Sequence, residues 1–336
     1  MRAIVCAAPG RLEFTDIAEP VRRPGEVLVK MRRMGVCGTD MHIYGGRQPF
    51  FEYPRIIGHE LSGEVAEADA GSGLAAGDIV SINPYLACGT CHACRLGRTN
   101  CCMRLKVLGV HMDGGLTDHL SLPRANVLAA GDLSVDQAAM VEFLAVGAHA
   151  VARSGVAAGR SVLVAGGGPI GLGVALFARL AGAEVLVADM RAERLAFCAD
   201  QLGVDTLAVT PEITETLSAR TAGVHHEVVF DATGSPRSIE TQFRHVASGG
   251  TYVIVSVVKG DISFSDSEFH RRELSLLASR NALPADFEKV AAAMRAGLVP
   301  TAALNTHRVA IDDLPEAMPS LVDPASGVIK ALVEIS

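Results

Sequence analysis

From Arg2 to about Ala130 apolar and polar residues alternate in short runs, such as Glu26-Val-Leu-Val-Lys-Met31, and glycine or proline breaks the runs repeatedly. A period of two with frequent breakers is the pattern of half-buried strands joined by tight turns, so this part predicts a barrel-like β domain. Beyond Arg153 the period changes. Compact apolar runs alternate with Ala/Leu-rich stretches of helical spacing, which predicts strands at 161–165, 184–188, 206–209, 227–231, 251–256 and 273–278, with helices between the first four. Strands separated in this way form a parallel, doubly wound sheet of the Rossmann type. From Asn281 onward a helical segment at 284–296 and a strand-like run at 328–335 return to the first texture. The expected organisation is therefore a β domain of 1–152 and 281–336 and an α/β domain of 153–280.

Composition narrows the classes of function. The 336 residues are 49% hydrophobic and 20% charged, as in a folded globular protein. Two domains suit that length. The net charge of −7 argues against a general nucleic-acid binder, which needs a basic excess to release counterions from phosphate. The opening residues reach Pro9-Gly10-Arg11 without the apolar core of an export signal, and the apolar run at 138–152 carries Glu142 and His149. It is also short for a span of about 20 residues, so a cytoplasmic chain without a membrane helix is expected.

After the run at 161–165 comes Gly166-Gly-Gly168-Pro169-Ile170-Gly171 and then a helical stretch. This is G-x-G-x-x-G in its strand–turn–helix setting, where glycines let the backbone approach a pyrophosphate and unpaired helix N–H groups meet its charge. The next strand ends at Asp189, placed to accept hydrogen bonds from the adenosine ribose. A carboxylate there repels a 2′-phosphate, which favours NAD(H) over its phosphorylated form. Arg191 and Arg194 beside it work against that preference, and Arg194 is counted among the cofactor-binding residues. Asp231-Ala-Thr233-Gly234 and Ser256-Val257-Val258 end later strands at the same sheet edge and are expected to flank the nicotinamide.

Of eight cysteines, five fall between Cys88 and Cys102. Such close spacing does not staple distant loops but suits a metal in a reducing compartment. Cys88, Cys91, Cys94 and Cys102 follow C-x2-C-x2-C-x7-C and bring four thiolates round one tetrahedral zinc of the closed, structural kind. An iron–sulfur cluster is the rival occupant, and Cys101 is read as a bystander. Arg95, Arg98, Arg104 and Lys106 make this lobe basic, but neither a recognition helix nor interleaved aromatics accompany them. Cys37 and His59 lie on two glycine-flanked turns. With the adjacent Glu60 and the distant Glu142 they suit an open catalytic site of three protein ligands.

Cys37-Gly-Thr39-Asp-x-His42, Gly58-His-Glu60, the four-cysteine lobe and the glycine-rich turn, in this order, resemble the zinc-containing medium-chain alcohol and polyol dehydrogenases over essentially the whole chain. The resemblance implies a GroES-like catalytic domain, a Rossmann domain, and two zinc ions per subunit, one catalytic and one structural. Cys37 and His59 match the family's catalytic zinc ligands. Glu142 stands where simple alcohol dehydrogenases carry a cysteine ligand; a glutamate there is similar to sorbitol-type enzymes, so both Glu60 and Glu142 are carried as third ligand. Thr39 matches the residue that accepts the alcohol proton, and His42 the one that relays it to solvent. The stretches 46–54 and 278–282 resemble a bacterial subgroup of sugar-acid oxidoreductases of the L-galactonate and L-gulonate 5-dehydrogenase kind, with Arg47, His111 and Asn281 as candidate contacts to hydroxyls or a carboxylate.

The implied reaction interconverts a secondary alcohol, a polyol or sugar acid, and its ketone with NAD(H). The alternatives are a primary-alcohol or aldehyde dehydrogenase on the same scaffold and a non-catalytic nucleotide-binding relative. A homodimer or homotetramer formed through the Rossmann domains is expected, with the strand at 251–256 near a sheet edge as the contact.

Overall fold

The computed structural model describes residues 1–48 and 51–335, so Pro49 and Phe50 of the 46–54 stretch lie outside the described residues. Packing divides the chain into Met1–Phe143 with Leu283–Ser336, and Leu144–Ala282. Both divisions differ from the texture changes at 152–153 and 280–281. The first falls inside the helix Val141–Ser154, where a change of period has nothing to register.

The first unit is built round the long strand Glu26–Val36, whose Val27, Val29 and Met31 alternate into the core. Its first half pairs with His119–Pro123 and its last residues pair with Lys330–Glu334, both antiparallel. Along its other edge runs Glu60–Glu67. Irregularities between Leu28 and Val29 and between Met31 and Arg33 bend the strand as it changes partner, as bulges do at barrel corners. Register then fixes chemistry. Gly35 pairs with Glu60 and Val36 with Ala331, so Cys37, His59, Glu60 and Lys330 come together at one end of three adjacent strands. A side chain at Gly35 has no room: a Cβ there would lie 2.1 Å from Glu60 Oε2. The chain's last strand thus belongs to this β unit, as the returning texture predicts.

The second unit is a six-stranded parallel sheet in the order Asp205–Ala208, Glu184–Asp189, Ser161–Ala165, His226–Asp231, Val246–Ile254, Ser275–Ala278. Helices Pro169–Leu180, Ala192–Leu202 and Ile213–Arg220 fill the first three crossovers. Val162, Leu163 and Val164 of the central strand are fully buried, as expected where both faces of a sheet are covered. The strand order reverses between Ser161–Ala165 and His226–Asp231, and the crevice beyond the carboxyl ends there is where open α/β sheets bind ligands. The segment at 251–256 lies near an edge but does not form it: Val246–Ile254 is the last strand but one, hydrogen-bonded on both sides. The edges are Asp205–Ala208 and Ser275–Ala278. Two consecutive apolar runs read alike in sequence, and only the sheet order tells which is outermost.

Candidate active site and metal centres

In the four-cysteine lobe the Sγ atoms of Cys88 and Cys94 are 4.0 Å apart, those of Cys91 and Cys94 3.5 Å, and those of Cys91 and Cys102 3.9 Å. A tetrahedron with Zn–S bonds of about 2.3 Å has edges of about 3.8 Å, so the four sulfurs already stand at the corners a zinc ion requires. Main-chain N–H groups of Cys88 and Arg104 donate to Cys102 Sγ at 3.2 and 3.3 Å. The backbone N–H groups of Thr90 and Cys91 draw the Cys88 thiol down to about 5, whereas burial and the neighbouring Cys91 and Cys102 push Cys94 up to about 12. Four adjacent thiolates coexist only with a cation among them. Cys101 is exposed and outside the cluster. Cys94→Ala is therefore expected to lose one zinc per chain and Cys101→Ala none, as metal analysis will read; equal zinc in both variants would refute the ligand set.

The second cluster joins Cys37, His59 and Glu60, whose ligand atoms lie within 4.8 Å of one another. Cys37 caps the helix Gly38–Tyr44, and its N–H donates to Asp40 Oδ2 at 2.9 Å. Asp40 is fully buried, and its Oδ1 stands 3.7 Å from His59 Nδ1; neither atom has a hydrogen-bond partner among the described residues. At that distance the carboxylate faces the imidazole as a charge, without a hydrogen bond. Burial opposes a charge on His59, yet the carboxylate of Asp40 and the thiol of Cys37 hold its pKa well above the ordinary histidine value.

Glu142, in the first turn of Val141–Ser154, is buried and accepts a hydrogen bond from the Tyr85 hydroxyl. Burial, offset in part by His59, lifts its carboxyl to about 7. It lies outside the set of three, so the structure groups Glu60, rather than Glu142, with Cys37 and His59.

Lys330 is the cluster's unforeseen member. It is 1% exposed beside a Glu60 that is 0% exposed, and its Nζ donates to both Glu60 oxygens at 2.6 Å. The same ammonium lies 4.3 Å from the centre of the Phe143 ring. Around one point stand a thiol, an imidazole, three carboxyls (Asp40, Glu60, Glu142) and one lysine. A soft thiol, an imidazole and a carboxylate within 4.8 Å of one another are the donor types zinc takes, so the set fits zinc. The sequence carried a signal for Lys330: a charge inside an otherwise apolar strand run, Val328-Ile-Lys-Ala-Leu-Val333. Asp40 lies within the Cys37–His42 motif, whereas Tyr85 gave no signal, since a contact 57 positions along the chain brings it to Glu142.

Thr39 and His42 lie three residues apart on the helix that begins at Cys37, and so share a face, Thr39 half-buried and His42 exposed. Arg47 and His111 are exposed, and the His111 Nδ1 accepts the Val107 N–H at 3.2 Å. In the second unit Asn281 sits in the left-handed region, φ 53°, with a buried Nδ2 lacking a hydrogen bond among the described residues.

The glycine-rich turn is built as the motif requires. Gly168 precedes the helix Pro169–Leu180, with Pro169 in its first turn and Ile170 after it. Gly166 takes φ 97°, and a Cβ on Gly171 would lie 1.8 Å from the Gly166 carbonyl oxygen. Asp189 accepts the Gly167 N–H at 2.6 Å and the Arg191 N–H at 2.9 Å, and Arg194 Nη1 stands 3.5 Å from it. Asp189 thus braces the turn while two of its lone pairs stay open. Asp231 gathers the later loops: it accepts from the Thr233 N–H and hydroxyl and from the Ser238 and Ser256 hydroxyls, at 2.8 to 3.1 Å. Val257, next to Ser256, is exposed.

Comparison with known proteins agrees with this geometry. Residues 23–132 match the family described as alcohol dehydrogenase GroES-like domain, and 169–296 that described as zinc-binding dehydrogenase. L-galactonate-5-dehydrogenase of Escherichia coli (strain K12) is 41% identical over 94% of this chain and 94% of its own length. The chain belongs to the zinc-containing medium-chain dehydrogenases. D-altritol 5-dehydrogenase of Agrobacterium fabrum is 34% identical over 99% of this chain and all of its own. A crystal structure of an E. coli CFT073 alcohol dehydrogenase complexed with NADH superposes with a TM-score of 0.93 at 27% identity, covering 100% of this chain and 99% of that one. This member is a zinc-dependent alcohol/polyol dehydrogenase with a Rossmann and a GroES-like domain.

Proposed function

We propose that this dehydrogenase interconverts a secondary hydroxyl of a sugar acid or polyol and the corresponding ketone, with zinc and NAD(H) as cofactors. The observation that carries the reading is the set of Cys37, His59 and Glu60, whose ligand atoms lie within 4.8 Å of one another, with His59 and Glu60 buried. Relatives named for L-galactonate and D-altritol support the substrate class. Cys37 and His59, with Glu60 or Glu142, would hold the catalytic ion, and Cys88, Cys91, Cys94 and Cys102 the structural one. A cation at the first site makes a bound hydroxyl acidic and polarises the ketone in reverse.

The chain's own groups do the rest. Thr39 takes the hydroxyl proton through its side chain, and His42, one turn on and exposed, passes it to solvent. Asp40 faces His59, and Lys330 fixes Glu60 by donating to both of its oxygens. The turn carrying Gly166, Gly168, Pro169, Ile170 and Gly171 receives the pyrophosphate at a helix N-terminus, Asp189 and Arg194 the adenosine ribose, and Thr233, Ser256 and Val257 the nicotinamide end. We place assembly as a homodimer or homotetramer on the exposed edge strand Ser275–Ala278, which presents Leu276. Among the described residues no helix is long and apolar enough to cross a membrane. Free, metal-spaced thiols favour the cytoplasm.

The test is a panel of aldonates, hexitols, pentitols and primary alcohols with NAD⁺, followed by absorbance of the reduced cofactor. An aldonate or polyol is expected to exceed any primary alcohol in kcat/KM by at least about tenfold, close to 1.4 kcal/mol of transition-state preference. A primary alcohol leading the panel would overturn the reading.

A further inference from the structure

At the opposite end of the parallel sheet from the glycine-rich turn, the segments leading into His226–Asp231, Val246–Ile254 and Ser275–Ala278 enclose a cavity of about 740 Å³. That volume lies in the range of small-molecule sites. Three features set it apart from a gap between loops. Its backbone is strained: Ala222, His225 and Glu273, none of them glycine, take φ of 48°, 69° and 49° in the segments that border it. It has an aromatic side, where Phe264, 43% exposed, stacks on Phe243 with ring centres 4.8 Å apart. And two of its lining residues carry unpartnered polar atoms: His225 Nδ1 and Arg272 Nε are buried without a hydrogen bond among the described residues. Unsatisfied groups gathered in one place call for a ligand or ordered water.

The charge points one way. Of the lining acids, Glu268 is held by Arg271 at 2.8 Å and approached by Arg272 at 3.8 Å, while Glu240 accepts the Ser263 N–H at 2.9 Å. Arg272 spends its two Nη groups on the carbonyls of Val246 and Phe243, each at 2.8 Å. Arg244 is exposed and makes no ion pair among the described residues. Three arginines against two glutamates leave the lining with an uncommitted cation.

We propose that this cavity is a second ligand site, separate from the dinucleotide crevice, for a small planar organic anion whose charge is met by Arg244, with His225 and Arg272 as inner donors, and whose ring lies on Phe264. A guanidinium and an aromatic face side by side are the usual equipment for a flat carboxylate.

The probe is 1-naphthoate, titrated calorimetrically into enzyme saturated with NADH so that the dinucleotide site stays filled. One molecule should bind per chain, and the uncharged 1-naphthamide should bind weaker by about tenfold or more. Arg244→Gln and Phe264→Ala should each weaken naphthoate by about tenfold or more while NADH affinity and turnover stay at the wild-type level. The proposal is overturned by absence of binding at millimolar naphthoate, by equal affinity for the amide, or by binding that both variants leave unchanged.

Discussion

Cys37→Ala will lose turnover by roughly 10³- to 10⁴-fold, the several kcal/mol that a Lewis acid contributes to a developing alkoxide. It will bind NADH within about twofold of wild type, because the glycine-rich turn, Asp189 and Asp231 belong to the other packing unit and are held by bonds within it. Cys37 is half-buried at a helix cap, and alanine keeps the backbone there, so the variant is expected to fold. Steady-state kinetics together with NADH fluorescence titration separate the two effects. Retained turnover would remove the metal from the chemistry, and lost NADH binding would show that the substitution damages more than its site.

The second large effect is structural. Lys330→Met keeps the apolar stem but leaves the Glu60 side chain buried with no cation at 2.6 Å. Breaking a buried pair from one side costs about 3–5 kcal/mol, since the remaining charge has neither water nor partner. For a unit of this size that is on the order of 10 °C in Tm. Glu60→Gln in the same chain should recover a good part of the loss, because the amide is easier to bury than the charge. Calorimetric scans of the single and double variants stripped of metal at the Cys37–His59 site test this, since a bound ion would itself partner Glu60. A Lys330→Met protein that melts with the wild type would mean that Glu60 is satisfied by something other than Lys330.

These two residues mark where the sequence was readable and where it was not. Cys37 stood out beside Gly-Thr-Asp because a metal ligand on a turn needs particular neighbours, and those neighbours are adjacent in the chain. The glycine-rich turn and the cysteine lobe were legible for the same reason: each is completed within one short segment, so spacing alone carries the geometry. A lone charge in an apolar run marks Lys330 locally, but its partner does not show: it reaches Glu60 across 270 positions, through the pairing of Val36 with Ala331 and of Gly35 with Glu60, and register of that kind leaves no local trace. The choice between Glu60 and Glu142 was open for a related cause. Both lie near Cys37 and His59, and only the burial of Tyr85 against Glu142 and of Lys330 against Glu60 distinguishes their surroundings.

Strand limits show the same division. The central run 161–165 was read residue for residue because its neighbours bury both faces. Val246–Ile254 begins earlier than the expected 251, since Ser248-Gly-Gly250 reads as a turn although its backbone runs in the sheet. The run at 273–278 shortens to Ser275–Ala278 because Glu273 takes a left-handed φ at the start of the edge strand.

Zinc counted per chain in His59→Ala tests the central claim most directly. Wild-type enzyme should carry two zinc ions and His59→Ala one, with the four-cysteine lobe still loaded. Two ions retained in the variant, or a single ion in the wild type, would contradict a catalytic zinc held by Cys37 and His59.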